Sequence, residues 1–258
     1  MSADGVWVYA VLGRSRAAVR VAGLHGVADE PLHVVTAGDL AAVVGAVKLE
    51  EYGQEALRRN LEDLDWVASK ARAHDAVITA VARFGSAIPV RMATVYLNDA
   101  RVRELLNDRR PEFLATLSRL SGRAEVGVKV YADPKRSIRP DSEPTAAETG
   151  TGTAYLLRRR QQLASREEAY QAAAAEAERI HGALMRYAVD GKRKPPPDRS
   201  LSGRAEMMVL NGTYLVESDA VALFREAAAA LVNSTENLTL ETTGPWPPYS
   251  FAGESVAG

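Results

Sequence analysis

The spacing of apolar residues changes repeatedly in the second half of the chain, and this succession constrains the fold more than any other sequence feature. Val126, Val128 and Val130 alternate with other residues, which predicts a strand over Ala124–Tyr131. A long helical pattern rich in Ala, Glu and Arg follows over Ala154–Val189. Two strands, a helix and a last strand are predicted after it, over Ala205–Leu210, Thr213–Val216, Ser218–Val232 and Asn237–Thr242.

Asn211-Gly212 separates the two middle strands of this series. Asn-Gly favours a two-residue hairpin because a type I′ turn needs positive φ at both central positions. The predicted order, β-α-β-β-α-β, is the ferredoxin-like arrangement of a sheet with two helices on one face. Residues 133–153 are rich in Pro, Gly, Thr and charge, which predicts a flexible insert. We therefore expect a ferredoxin-like domain with a long first helix.

The first half of the chain also mixes strand and helix patterns. Short runs of β-formers predict strands, and apolar residues at three- and four-residue steps predict a helix. Asn98 and Asp99 are candidate caps for a second helix. In chain order the predicted bounds are strands Val6–Leu12, Leu32–Thr36 and Leu40–Ala46, a helix from Gln54 to Gly85, a strand Ser86–Tyr96 and a helix Ala100–Leu120.

These elements predict an α+β chain of two domains, with a break near Ser121-Gly122. The expected bounds are 1–121 for the first domain and 122–243 for the second. Residues 244–258 form a tail rich in Pro and aromatic residues, which we expect to pack on the body. A length of 258 residues is sufficient for two ordinary domains.

Composition and charge exclude several classes of function. The chain has no Cys, which excludes disulfides and thiolate metal sites, and its net charge of −1 gives no global attraction to nucleic acid or to an acidic membrane. No window approaches 18 uninterrupted apolar residues, and the N-terminal segment lacks the features of a signal peptide. A soluble, cytoplasmic protein with no membrane or nucleic-acid partner is expected.

The C-terminal tail contains the most specific string of the chain. Three prolines in four positions around Trp246 favour an extended backbone outside helix and sheet, and an apolar tail held in this way is expected to bury its rings. The string reads Gly244-Pro245-Trp246-Pro247-Pro248-Tyr249-Ser250-Phe251.

This string resembles the ending of the GvpL/GvpF family of gas vesicle proteins. An opening strand around Val8–Val11 and the segments Ile88–Arg91, Gly122–Val130 and Leu210–Val216 fit the same resemblance, which runs from about residue 6 to residue 251. One departure is Met92-Ala93, where family members often carry Phe-Gly. The residues to which the resemblance gives a structural role are Pro89, Arg91, Asn211, Gly212, Gly244, Pro245, Trp246, Pro247, Pro248 and Tyr249.

The resemblance implies two α+β domains, the second a modified ferredoxin-like fold. It also implies a non-enzymatic protein of gas vesicle formation that needs no cofactor. Its implied partners are the small hydrophobic shell protein and other gas vesicle accessory proteins. The implied role is that of a minor structural component or of an assembly factor, at the gas vesicle and in the cytoplasm.

Three polar residues of the first half form a candidate network. On the predicted helix, counted from Leu57, Asp75 falls within the apolar stripe and His74 at its margin. A buried carboxylate needs a partner, and Arg91 on the next strand could bind it through both guanidinium nitrogens. We expect His74, Asp75 and Arg91 to form a buried polar network that stabilises the domain. The alternative is a pocket at these residues, in a ligand-sensing or catalytic protein.

Other charged and Gly-rich segments do not predict a site. The acidic residues at 60–65 lack the spacing of a calcium loop, and no Gly-rich phosphate motif is present. The basic runs 158–160 and 192–194 lack the aromatic motif of RNA-binding ferredoxin-like domains. We therefore predict no metal, nucleotide or nucleic-acid site. The long helix either packs over the sheet or offers Ala172–Ala175 to a partner helix, and the sequence favours neither.

Overall fold

The structure is a computed structural model that describes residues 4–16, 21–132, 159–160, 171–172, 174–195, 207–234 and 238–253. The chain divides into two units, the first made of Met1–Glu125 with Pro245–Gly258, the second of Val126–Gly244. The chain therefore leaves the first unit after Glu125 and returns to it at Pro245. The domain bounds 1–121 and 122–243 stay a prediction.

The first unit contains an antiparallel sheet centred on β1. Strand β1 is paired with β3 on one side and with both β4 and β5 on the other, and β2 lies beside β3. The apolar run of β1 is buried along its length, as expected for a central strand. The strands are β1 (Asp4–Gly13), β2 (Leu32–Ala37), β3 (Leu40–Lys48), β4 (Ala87–Pro89) and β5 (Val95–Tyr96).

The strand predicted over Ser86–Tyr96 is broken into β4 and β5. Ala93, between them, has a φ of 66°, which interrupts the extended backbone. Both halves still lie beside β1, since Val90 N donates to Tyr9 O at 2.9 Å and Val8 N donates to Thr94 O at 3.0 Å. Pro89, which cannot donate to a ladder, is the last residue of β4.

The helix predicted from Gln54 to Gly85 is likewise interrupted. The Asp63 side chain caps a new helix by accepting hydrogen bonds from the backbone N–H groups of Asp65 and Trp66 at 3.0 and 3.1 Å. Leu61 and Leu64, counted in the predicted apolar stripe, lie at the break, and Leu64 is 80% exposed. The helices here are α1 (Leu49–Tyr52), α2 (Gln54–Asn60) and α3 (Leu64–Ala82).

The second helix of the first half was predicted with the right cap and the wrong length. Asn98 Oδ1 accepts from Arg101 N at 3.1 Å, so it caps the helix as expected. The helix is interrupted at Arg109, just before Pro111, because a proline is tolerated only in the first turn of a new helix. The result is α4 (Asp99–Asp108) and α5 (Arg110–Leu120).

The second unit contains a four-stranded sheet in the order β7-β8-β6-β9. Of the predicted long helix, residues 159–160, 171–172 and 174–189 are described. Those up to residue 184 are helical, whereas 185–189 are not, so the helix ends five residues before its predicted end at Val189. The remainder of that helix up to residue 173 and the insert 133–153 lie outside the described residues. The elements are β6 (Arg123–Ala132), α6 (174–184), β7 (Asp190–Arg193), β8 (Met207–Glu217), α7 (Val221–Asn233) and β9 (Leu238–Trp246).

The hairpin predicted at Asn211-Gly212 is wrong, because both residues lie inside the continuous strand β8. The antiparallel partner of this region is β7, which aligns Gly191 with Tyr214. The buried Tyr214 ring occupies the space beside Gly191 and Gly212, and a Cβ at Gly212 would lie 2.7 Å from a ring carbon. Glycine is therefore needed at position 212 because it has no side chain, and not because its φ is positive.

Replacing Gly212 with alanine is expected to lower the free energy of unfolding by about 1–3 kcal/mol, because the new methyl group overlaps the Tyr214 ring. Asn211→Ala is the control, and we expect it to change stability much less. Urea denaturation followed by circular dichroism measures both. Equal losses for the two variants would restore the turn interpretation, since a type I′ turn depends on both residues.

Two further predictions near the C-terminus are wrong. Ser218 does not cap α7, whose N-cap residue is Ala220, without a side-chain hydrogen bond. Strand β9 continues through Pro245 to Trp246, although the prolines were expected to exclude sheet. A proline is tolerated there because β9 is an edge strand. Among the described residues, no helix is long and apolar enough to cross a membrane.

Candidate functional site

His74 lies at the centre of a buried polar cluster in the first unit. Trp7 Nε1 donates to His74 Nδ1 at 3.0 Å, and the other ring nitrogen, Nε2, lies 2.9 Å from the carbonyl oxygen of Val90. An indole N–H can only donate, so Nδ1 must accept and the imidazole proton lies on Nε2. His74 is 3% exposed, and both of its nitrogens are used within the protein.

Burial lowers the pKa of His74 below its ordinary value of 6.5. The unfolded chain therefore binds this proton more readily than the folded protein. The stabilisation that comes from the neutral imidazole is complete above about pH 6.5 and is lost as the pH falls through the folded-state pKa.

We compare the free energy of unfolding of the wild type with that of a His74→Gln variant. The wild-type value minus the variant value is expected to decrease when the pH is lowered from about pH 8 to about pH 5. Glutamine cannot titrate, so titrations elsewhere in the chain cancel in the difference. Urea titrations at a series of pH values measure it. A difference that stays constant with pH would contradict a buried, neutral His74.

A second buried group, Glu30, lies in the same core. Its Oε1 accepts from the Tyr9 hydroxyl at 2.6 Å and its Oε2 from Ala28 N at 2.7 Å, while the Tyr9 oxygen accepts from Val27 N at 2.8 Å. Burial, and then the Glu30 carboxylate, raise the pKa of Tyr9, which keeps its hydroxyl as a donor. A Cβ at Gly45 would lie 2.1 Å from Glu30 Oε1, so the carboxylate fits only against a glycine.

Aromatic rings and one cation surround these groups. The Trp7 ring lies edge-on to Tyr52, with 5.8 Å between centroids, and Tyr9 lies 5.3 Å from the His74 ring. Lys70 Nζ donates to Val27 O at 2.8 Å and lies 5.5 Å from the centre of the Tyr52 ring. We call the set the aromatic–polar cluster: Trp7, Tyr9, Glu30, Tyr52, Lys70 and His74.

The predicted network of His74, Asp75 and Arg91 is not formed. Asp75 is partly exposed and accepts a hydrogen bond from the Tyr249 hydroxyl at 3.3 Å, and Arg91 is exposed. The prediction assumes one continuous helix from Leu57, but a new helix begins after Asp63 with a different phase. As a result, His74 faces the sheet instead of Asp75. Within the described ranges, no group of three or more metal-ligating side chains converges.

Sequence reasoning missed most of the aromatic–polar cluster. Trp7 and Tyr9 alternate on β1, so their common face could have been read from the period of a strand. Glu30 gave no local signal, because its partner Tyr9 is 21 residues away along the chain. Its burial depends on Gly26, Gly45 and Tyr9, which the fold brings together around the carboxylate.

The C-terminal tail is fixed to the first unit by a different set of contacts. The Glu125 carboxylate is buried, and its oxygens accept from the backbone N–H and the hydroxyl of Ser250, both at 2.7 Å. Phe251, the next residue, is 1% exposed, whereas Trp246 is 51% exposed. We call the Glu125–Ser250 hydrogen bonds and the buried Phe251 ring the tail clasp. Phe251, not Trp246, is the buried ring of the tail.

Comparisons with known proteins give a consistent result. The sequence model of a family described as "Gas vesicle synthesis protein GvpL/GvpF" matches residues 5–253. Gas vesicle protein L of Streptomyces sp. (strain CB03234) is 43% identical over 255 residues, which cover 98% of this chain and 95% of that protein. The crystal structure of the gas vesicle protein GvpF from Anabaena sp. PCC7120 superposes with a TM-score of 0.63 at 18% identity, covering 96% of each chain. That of GvpF from Microcystis aeruginosa gives 0.64 at 16% identity, covering 96% of this chain and 98% of that one, so the fold is shared.

Proposed function

The chain belongs to the GvpL/GvpF family of gas vesicle synthesis proteins, and we propose that it binds the small hydrophobic shell protein during gas vesicle formation. It acts without catalysis, as a minor structural component or an assembly factor, at the gas vesicle and in the surrounding cytoplasm. Other gas vesicle accessory proteins are its further partners. The observation that carries this proposal is the family match over residues 5–253.

The internal bonding of the aromatic–polar cluster supports a structural role for its buried polar groups. His74 uses both nitrogens, and both oxygens of Glu30 accept hydrogen bonds from within the unit. An acid or base needs an atom that can reach a substrate proton. The alternative is a ligand or catalytic site at His74, Asp75 and Arg91. It is less well supported, because His74 is buried and bonded to Trp7 and Val90, Asp75 is bonded to Tyr249, and Arg91 is exposed.

For the second unit we propose a modified ferredoxin-like fold. Its described elements follow the chain order β6, α6, β7, β8, α7 and β9. The first and third strands of the unit, β6 and β8, are the central neighbours of its sheet, which supports the proposal. The order is the predicted one, but two of its strands are different. The predicted strands Ala205–Leu210 and Thr213–Val216 are both part of β8, and the second strand of the unit is β7.

Co-expression with the shell protein of the same gene cluster tests the proposed function. The chain is affinity-tagged, and the captured material is analysed by size exclusion at low and at high salt. We expect a complex that persists at high salt, because burial of apolar surface is not screened by ions. A folded chain that captures no shell protein at either salt concentration would overturn the proposal.

A further inference from the structure

Three arginines of the first unit lie around the turn that joins β2 to β3. Arg110 Nε donates to the Asp39 carboxylate at 2.7 Å, and Arg103 Nε donates to the backbone oxygen of Thr36 at 3.3 Å. The backbone N–H of Arg14 donates to Asp39 O at 2.7 Å, which brings the third arginine to the same turn. All three arginines are exposed.

These side chains give the turn a local excess of positive charge. The hydrogen bond from Arg110 is the main cause of the lowered pKa of Asp39, and the charge of Arg14 adds to it, so the Asp39 carboxylate is ionised at neutral pH. Three guanidinium groups therefore share one carboxylate. Among the described residues, the Arg14 side chain makes no hydrogen bond at all, and it is available to a further anion.

The acidic residues of helix α4 do not cancel this excess. Asp99 is bonded to a histidine of β2 at 3.1 Å, and Glu104 accepts from Arg101 at 2.7 Å. Asp108 lies roughly 140° around the helix axis from Arg103, on another side of α4. The carboxylates of this helix are thus either paired elsewhere or directed away from the turn.

The outer edge of β2 offers backbone groups beside the arginines. Ala37 precedes the two-residue turn and pairs with β3, so the backbone groups of Thr36 and Val34 point away from β3. The open edge ends at Leu32, whose N–H donates to Leu24 O at 3.4 Å. Within the described part of the chain, Val34 N, Val34 O and Thr36 N have no hydrogen-bond partner. We call these groups, together with Arg14, Arg103 and Arg110, the arginine edge.

The two halves of the arginine edge select the same kind of ligand. An added strand satisfies the N–H and C=O groups of a sheet edge through its own backbone amides, which nucleic acids and small anions lack. Carboxylates bind guanidinium groups through charge-assisted hydrogen bonds. Arg103 uses one of its N–H donors on Thr36, and its remaining donors can bind a carboxylate. An extended acidic peptide combines both properties.

We propose that the arginine edge binds an extended acidic segment of a partner protein. The backbone of that segment pairs with Val34 and Thr36, and its carboxylates bind Arg14, Arg103 and Arg110. This site does not depend on the proposed function. Its affinity comes largely from charge and is screened by salt, whereas the complex with the shell protein is expected to persist at high salt.

Fluorescence anisotropy of the full chain with a labelled peptide tests the site. The peptide has about eight residues and alternates glutamate with threonine, which places its carboxylates on one side of an extended backbone. We expect it to bind about tenfold or more tightly than the same peptide with glutamine in place of glutamate. An increase in salt from about 20 mM to about 300 mM is expected to weaken its binding several-fold.

Arg103→Gln, with Arg101→Gln as the matched control, locates the site. Both variants remove one exposed arginine from α4 and change the net charge equally, but Arg101 is paired with Glu104 whereas Arg103 contacts β2. We expect Arg103→Gln to weaken peptide binding about three- to tenfold and Arg101→Gln to leave it unchanged. The double variant Arg14→Gln with Arg103→Gln is expected to lose about tenfold or more. Thermal melting of each variant checks that a loss of binding is not a loss of folding.

Three results would contradict the proposal. The first is a folded wild type that does not bind the glutamate peptide, or that binds the glutamine peptide equally well. The second is an equal loss for Arg101→Gln and Arg103→Gln, because binding would then depend on net charge alone. The third is displacement of the peptide by tripolyphosphate or by a short single-stranded DNA at the same concentration of charge, because the edge of β2 would then play no part in recognition.

Discussion

Replacing Phe251 with alanine is expected to lower the free energy of unfolding of the first unit by about 3–5 kcal/mol. The ring is fully buried, so its removal loses the transfer free energy of a phenyl group and leaves a cavity. The change also loosens the clasp, because Ser250, which donates to Glu125, precedes it in the chain. All three tryptophans, Trp7, Trp66 and Trp246, belong to the first unit, so tryptophan fluorescence during urea denaturation follows this unit alone.

Trp246→Ala is the matched control for this experiment. Its ring is larger but half exposed, and we expect a loss below about 1 kcal/mol. The two variants therefore compare the buried ring of the tail, Phe251, with its half-exposed ring, Trp246. A larger loss of stability for Trp246→Ala than for Phe251→Ala would contradict the tail clasp as the anchor of the tail.

Replacing Glu30 with alanine is the second large effect that we expect, a loss of about 2–4 kcal/mol. The Tyr9 hydroxyl would lose its buried acceptor, and an unsatisfied buried donor costs about 1–3 kcal/mol. The N–H of Ala28, which is an exposed residue, would lose its acceptor as well. Glu30→Gln is expected to lose less, because its amide oxygen can still accept from one of the two donors. The same fluorescence-detected urea titration measures both variants.

Glu55→Ala provides the control for the Glu30 variants. The Glu55 side chain is 84% exposed, and its contact with Arg58 is 3.9 Å long, so its removal is expected to leave stability unchanged. If Glu30→Ala is as stable as Glu55→Ala, the Glu30 carboxylate is hydrated instead of buried. The aromatic–polar cluster would then have room for a ligand, which would favour the alternative function.

Local patterns in the sequence predicted the strands of the first unit well. β1, β2 and β3 each contain a run of β-formers, and Gly38-Asp39 separates β2 from β3, so their existence follows from local preference. The Asn98 cap was predicted for the same reason, since its hydrogen bond joins residues three apart. Contacts between distant residues were not accessible in this way.

The wrong hairpin in the second unit has a physical origin in packing. An isolated Asn-Gly favours a turn, but the buried Tyr214 ring needs the space beside Gly212, and β7 supplies strand pairing that extends β8. Packing against a residue two positions away thus outweighed the local turn preference. The sequence contained Tyr214 and Gly191, but only the register of β7 against β8 reveals that they meet.

In the candidate site, too, local features could be predicted from the sequence and contacts between distant residues could not. The aromatic tail was visible in the sequence, because prolines and rings are local features, whereas the choice of which ring to bury was not. That choice depends on Glu125, which lies 125 residues before Ser250. Likewise, Asp75 pairs with Tyr249 across 174 residues, a contact that a helical wheel cannot anticipate.

Gas vesicle formation in living cells tests the central claim most directly. The gene for this chain is deleted from a host that carries the complete gas vesicle gene set, and vesicles are scored by turbidity that collapses under pressure. We predict that the deletion removes the vesicles and that the wild-type chain restores them. Cells that form vesicles at the wild-type level without this chain would contradict its proposed role in gas vesicle formation.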